Sequence, residues 1–230
     1  TTTTEDFDVS NLLAYYDFNE DATFLYDALH FVQNTDSGLE ELGSSPPNSD
    51  YDGTNNGATQ EATGKIGNAW SFDGNNDYVS IGDEQTFTWM QNPDAQFTSA
   101  FWVKIDNYVA NSVKFAPVMS TIDGSYADRG MSIAFYGENP YGFSTGTGLF
   151  QQKDHNPAVT GLDDKKTTNV LFPDDSAWHH YAFSFDNDND EIKIYKDGSF
   201  VETFAYASTF ASTTDTDTQR PMLLGMDCRK

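Results

Sequence analysis

Three kinds of side chain in this 230-residue sequence have the chemistry for a reactive or binding site: four histidines, a lone cysteine and 36 acidic residues. His179 and His180 follow Trp178 in an alternating stretch. Neighbours on a strand face opposite sides, so the two imidazoles cannot share one ion, and the expected arrangement is one in the core and one at the surface. His30 and His155 stand alone. Cys228 has no histidine in its vicinity and no Gly-x-Ser-x-Gly elbow occurs, so nucleophilic catalysis has no support.

The carboxylates offer more. Calcium takes about six to eight hard oxygen ligands from carboxylates and loop carbonyls. Asp186-x-Asp188-x-Asp190 begins like a calcium loop, with Asp197 at its twelfth position. Glu191, however, stands where such a loop needs glycine, and Ile192 to Tyr195 alternate like a strand, so a solvated turn is expected. A sugar site needs an aromatic ring to stack on the apolar face of a pyranose, with amides and carboxylates for its hydroxyls. Tyr126, Asn139 and Tyr141 combine these chemistries in segments without strand pattern, and Trp89 is a further candidate for an exposed ring.

Helical periodicity is scarce, so strands must position these groups. The clearest is Phe97 to Ile105, where Phe97, Phe101, Val103 and Ile105 point one way and Thr98, Trp102 and Lys104 the other. Similar patterns place strands at 12–18, 69–72, 78–81, 115–122, 131–136, 178–185, 192–195, 200–206 and 222–226. Turn signals separate them: Asp73-Gly74-Asn75-Asn76-Asp77, Asp123-Gly124, Asp186 to Asp190 and Asp197-Gly198. About ten short strands at this spacing predict an all-β, antiparallel two-sheet sandwich. Residues 11–230 are expected to form one domain after a flexible or edge segment at 1–10. Two polar stretches, 36–64 and 137–170, are expected to be long loops.

Several phrases resemble the laminin-G-like, concanavalin A-like jelly-roll domains. They are Leu13 to Phe18, Gly64 to Ile81, Phe97 to Ile105, and Trp178 to Phe185 with Ile192 to Gly198. The stretch from Gly64 to Ile81 and the hairpin from Trp178 to Val201 are the most specific, and the likeness covers most of residues 11–226. The resemblance implies a jelly-roll sandwich whose rim holds calcium and a ligand. By context, Asp128 ahead of Met131 and Asp227 after Met226 match the family's calcium positions, with Asp27 and Asp73 as lesser candidates; for Asp73 the turn role is preferred. The resemblance further implies one more strand after Leu223-Leu224-Gly225, so a final strand is expected to be missing from the chain. The fold also serves glucanases, which need two carboxylates projecting from one strand face. No Glu-x-Asp-x-x-Glu phrase lies in an alternating strand here, so a glycoside hydrolase is the weakest reading.

Composition closes off other classes. Twelve basic residues leave a net charge of −24 and a pI near 4.1, which repels nucleic acid and anionic lipid. No stretch approaches the roughly 18 apolar residues of a membrane span. No Asn-x-Ser/Thr acceptor occurs. The expected function is a non-catalytic, calcium-assisted module that binds a glycan or surface protein at an exterior, extracellular, cell-surface or virion site. The alternative is a structural or decoration domain of a larger assembly.

Overall fold

The computed structural model describes residues 24–25, 51–61, 63–92, 94–106, 116–122, 130–137, 144–153, 163–205 and 221–225. Fourteen strands are described: β1 Phe24–Leu25, β2 Gly53–Asn56, β3 Thr59–Glu61, β4 Ala69–Ser71, β5 Tyr78–Ile81, β6 Gln96–Lys104, β7 Ala116–Ser120, β8 Gly130–Phe135, β9 Thr147–Lys153, β10 Asp163–Val170, β11 Trp178–Asp186, β12 Glu191–Lys196, β13 Ser199–Ala205 and β14 Met222–Leu224. They form an eight-stranded sheet in the order β1-β2-β5-β14-β7-β8-β9-β10, a four-stranded sheet β13-β12-β11-β6, and the small pair β3-β4. Every pairing is antiparallel. This is the two-sheet sandwich that the alternating pattern predicts; the strand expected at 12–18 lies outside the described residues.

Alternation decides which face is buried. Along β6, Phe97, Phe101 and Val103 pack against the core while Thr98, Ala100, Trp102 and Lys104 are exposed. Tyr181, Phe183 and Phe185 of β11 and Ile192 and Ile194 of β12 are almost fully buried. They share one core with Val79, Ile81, Met119, Met131, Ile133 and Phe150 of the larger sheet. Aromatic rings form the seam: Phe97 stacks on Phe185 at 4.4 Å between centroids, and Phe185 meets Phe150 at 5.4 Å. Glu202 on β13 accepts hydrogen bonds from Thr168 N (3.0 Å) and Oγ1 (3.3 Å) on β10, tying the two sheets together along one side.

The turns follow their sequence signals. Asp197 and Gly198 connect β12 to β13 with φ of 50° and 75°, the paired positive values of a two-residue hairpin turn. Asp73 Oδ1 accepts from the backbone N–H of Asn75 (2.8 Å) and Asn76 (3.2 Å), and Asp77 Oδ2 accepts from Asp73 N at 3.0 Å. The side chain of Asp73 thus shapes its own turn. Gly225 ends β14 at φ 86°, and a Cβ there would strike the ring of Phe72. Gly225→Ala is therefore expected to destabilise the fold by about 1–3 kcal/mol through overpacking and strain, read as a lower denaturant midpoint.

Two expectations need correction. The stretch 36–64 holds β2 and β3, and 137–170 holds β9 and β10, so neither is simply a loop. The reason is that these strands lack period-two alternation. On β9, Leu149, Phe150 and Gln151 are consecutive and all buried, because both faces are covered there. Strand β10, with the sequence Asp-Asp-Lys-Lys-Thr-Thr-Asn-Val, pairs only with β9 among the described residues and has the charged composition of a sheet edge. The strand expected to be missing would pack beside the first strand, whose expected residues, 12–18, lie outside the described ones; β14 itself is hydrogen-bonded to β5 on one side and β7 on the other.

Candidate functional site

The outward face of the four-stranded sheet carries the best-defined cluster of binding chemistry among the described residues. Register fixes its layout. Trp102 on β6 opposes His180 on β11. Along the next outward row Ala100, Ala182, Tyr195 and Phe200 align across all four strands, followed by Thr98, Ser184, Lys193 and Thr203. Two alanines thus form a low floor between aromatic groups.

Trp102 is 38% exposed and Phe200 58%, large values for side chains of this size. The His180 ring lies 5.2 Å from that of Trp102. Lys65, from the segment before β4, places its ammonium over the indole 5.0 Å from the centroid. An exposed cation–π contact of this kind contributes about 0.5–1 kcal/mol, so a ligand displaces it at small cost and gains a donor beside the ring. Tyr195 meets Phe200 edge-on at 5.8 Å. Lys104 pairs with Asp106 (3.2 Å) and Lys193 with Glu191 (2.7 Å).

Behind one end of this face sits a charged bridge. His179 Nδ1 lies 2.6 Å from Asp197 Oδ2, and Nε2 lies 3.0 Å from Asp175 Oδ2. A proton on each ring nitrogen lets both donate to a carboxylate, which is the imidazolium form. Burial alone would push the His179 pKa down, but the hydrogen bonds to Asp197 and Asp175 outweigh it and raise the value above 6.5. The His179 bond holds the Asp175 carboxyl below the ordinary 3.8. For Asp197 burial pushes upward, yet the bonds from His179 and the His180 backbone bring it below 3.8. Burial lowers the pKa of Lys196, whose Nζ donates to Leu171 O at 3.2 Å.

The sign of the pH dependence follows. A raised histidine pKa contributes stability that is complete below about pH 6.5 and is lost as pH rises through the raised value. The depressed carboxylates contribute above about pH 3.9 and lose their contribution as pH falls through their lowered values. Between these limits the bridge is complete. His179→Gln is expected to lower the melting temperature at pH 6, with the difference from wild type shrinking by pH 9; a constant difference across that range would contradict the bridge.

The expected site residues fare unevenly. Asp27, Asp128, Asp227, Tyr126, Asn139 and Tyr141 lie outside the described residues, as does Cys228. Asp73 has the turn role given above. Among the described residues no three His, Cys, Asp or Glu side chains gather as a metal set. Asp186 accepts from Asn189 N (3.2 Å) and Nδ2 (2.8 Å), so the Asp186–Asp190 segment is the expected hairpin turn.

Two expectations are corrected. Trp89 is not an exposed platform: its ring packs edge-on against Phe97 at 5.3 Å in a short 3-10 turn, Thr88–Gln91, filling the end of the core. His179 faces inward as alternation requires, yet it sits at the end of the sheet between two acids rather than in apolar surroundings. Sequence reasoning missed Trp102 as a site residue, although its place on the polar side of an alternating strand was the signal for it.

Among the described residues no helix is long and apolar enough to cross a membrane. No curated protein matches the chain significantly. Among solved structures it is similar to the CBM40 of a Ruminococcus gnavus IT-sialidase bound to α2,3 sialyllactose, at 14% identity and TM-score 0.43, covering 65% of this chain and 76% of that one. Domain 4 of a Geobacillus stearothermophilus GH43 extracellular arabinanase, in complex with arabinotriose, gives 15% identity and TM-score 0.46 over 75% of this chain and 82% of that one. Mouse laminin α1 domains LG4-5 give 10% identity and TM-score 0.37 over 58% of this chain and 28% of that one. Residues 73–227, about two thirds of the sequence, match the laminin-G model of the concanavalin A-like lectin/glucanases superfamily, and the chain belongs to that family.

Proposed function

We propose that this protein is a non-catalytic recognition module that captures an exterior glycan on the outward face of the four-stranded sheet. The observation that carries the reading is an exposed indole, Trp102, set beside an imidazole and an ammonium above a floor of alanines. An indole face takes the C–H face of a sugar ring, and the surrounding Lys65, His180, Ser184 and Thr98 have donors and acceptors for hydroxyls. Trp102 and Tyr195 stand two strands and one two-residue step apart, roughly 12 Å between Cα atoms at ordinary sheet spacing. That separation suits a chain of sugars better than a single ring. Tyr126, Asn139 and Tyr141 belong to the same proposal as a second contact region.

Calcium is proposed as a stabiliser supplied by the acid-rich connections, with Asp128, Asp227 and Asp27 as candidate ligands. Its support is the excess of carboxylate in the sequence. Exterior sites of this type bind at about 10⁻⁴–10⁻³ M, so calcium at ten times the dissociation constant contributes only about 1.4 kcal/mol. The melting temperature is expected to rise in saturating calcium relative to EDTA; identical melts would remove calcium from the account.

A glycan array, run with and without chelator, tests the function itself. Oligosaccharide hits are expected, whereas an empty array together with ordered oligomers in solution would favour a building block of a surface assembly.

A further inference from the structure

We propose that the Asp175–His179–Asp197 bridge is a pH-sensitive latch and that His179 is a positioning residue for the Trp102 platform on the opposite face of the sheet. The inference rests on the reading of that platform as the glycan site, and it names how the site is regulated.

The connection is short and continuous. Asp197 holds His179 through Oδ2, and through Oδ1 it accepts the backbone N–H of His180 at 2.9 Å. The backbone N–H of Asp197 donates in turn to His180 O at 2.8 Å. Residue 197 therefore grips both backbone polar groups of His180, whose ring stands against Trp102 and whose Cα is its partner across the sheet. From the other side Asp175 also accepts from Ala177 N at 3.0 Å, so the same imidazole anchors the segment leading into β11.

Loss of one proton changes this arrangement discretely. A neutral imidazole can donate from only one nitrogen, so the other turns a lone pair toward a carboxylate oxygen about 3 Å away, and that side must open. Opening at Asp197 frees the backbone clamp on His180; opening at Asp175 frees the entry to β11. The groups that bear on the imidazole are few. Asp175 comes from the segment before β11 and Asp197 from the β12–β13 turn, while Lys196 of β12 opposes protonation by its charge. Tyr181 lies 6.3 Å away on the same strand, and the partner on β6 is the apolar Val103. Lys104 projects to the outward face and pairs with Asp106. The raised pKa of His179 agrees with the two carboxylates prevailing over burial and Lys196.

The test needs no glycan. In a His180→Gln background, which leaves His179 as the imidazole next to this segment, the His179 Cε1 signal and the Trp102 indole N–H cross-peak are followed by NMR from pH 5 to pH 9. The ring is expected to titrate with a midpoint above 6.5, and the Trp102 indole and the residue 180 amide to shift with the same midpoint. Adding His179→Gln should abolish that shared transition while the rest of the spectrum stays dispersed. A midpoint at or below 6.5, or a ring that titrates while Trp102 and residue 180 stay still, overturns the latch. If the coupled titration appears but no array oligosaccharide binds more weakly at pH 9 than at pH 5.5, the latch exists without controlling a sugar site, and the regulatory proposal is wrong. An array on which wild type and Trp102→Ala bind alike sinks the platform reading separately.

Discussion

Phe183→Ala is expected to destabilise the protein by about 3–5 kcal/mol, the usual cost of emptying a phenylalanine site in a packed core. Phe183 is 2% exposed and lies parallel to Phe101 at 6.0 Å between centroids, in the middle of the four-stranded sheet. It belongs to the same core as Ile133 and Phe150 of the larger sheet. Little space exists for neighbours to collapse into, because the buried Tyr181 and Phe185 flank it along β11 and its partners across the sheet, Ser99 and Ile194, are fixed by the strand register. Against a total stability of about 5–15 kcal/mol this is a large fraction. At roughly 2–4 °C per kcal/mol for a chain of this size, the melting temperature should fall by about 10 °C, measured by circular dichroism. A change of less than 2 °C would mean that the two sheets do not share one interior.

The second large effect is on binding. Trp102→Ala removes the one exposed indole of the platform, and central tryptophans commonly contribute about 2 kcal/mol or more to an interface, a factor of about thirty in affinity. Stability should change far less than for Phe183→Ala, because the side chain is over a third exposed and lies outside the core. Lys65→Ala should have a smaller effect than Trp102→Ala, since its contact with the ring is exposed to solvent. Affinity for any oligosaccharide found on an array, measured by calorimetry on wild type and both variants, checks this order. Equal affinities for wild type and Trp102→Ala would exclude the face.

Much of the architecture is legible in the sequence wherever one sheet face is wet and the other dry. Strands β6, β11 and β12 alternate because their outward face meets solvent, and the Asp197-Gly198 turn declares itself through the residue pair that tolerates positive φ. The signal fails where that asymmetry is absent. Leu149, Phe150 and Gln151 are buried together on β9, so no period appears there. Gly53 to Asn56 carry no apolar pattern and are held by backbone pairing to β5 alongside β1. The site is less legible than the fold. Alternation puts Trp102 on the outward side of β6, but its partners, His180 and Lys65, come from distant segments that the register and the β3–β4 region bring near. Strand geometry separates His179 from His180, whereas its two carboxylates, 4 and 18 residues away, reach it only once the hairpin folds.

The central claim is that sugars dock on the outward face of the four-stranded sheet. Amide and indole chemical-shift mapping, with an oligosaccharide identified on the array titrated into the labelled protein, tests it most directly. The account predicts the largest perturbations at the Trp102 indole and the backbone of His180, Ala182 and Tyr195. Saturable binding that leaves those signals in place while moving others would contradict it.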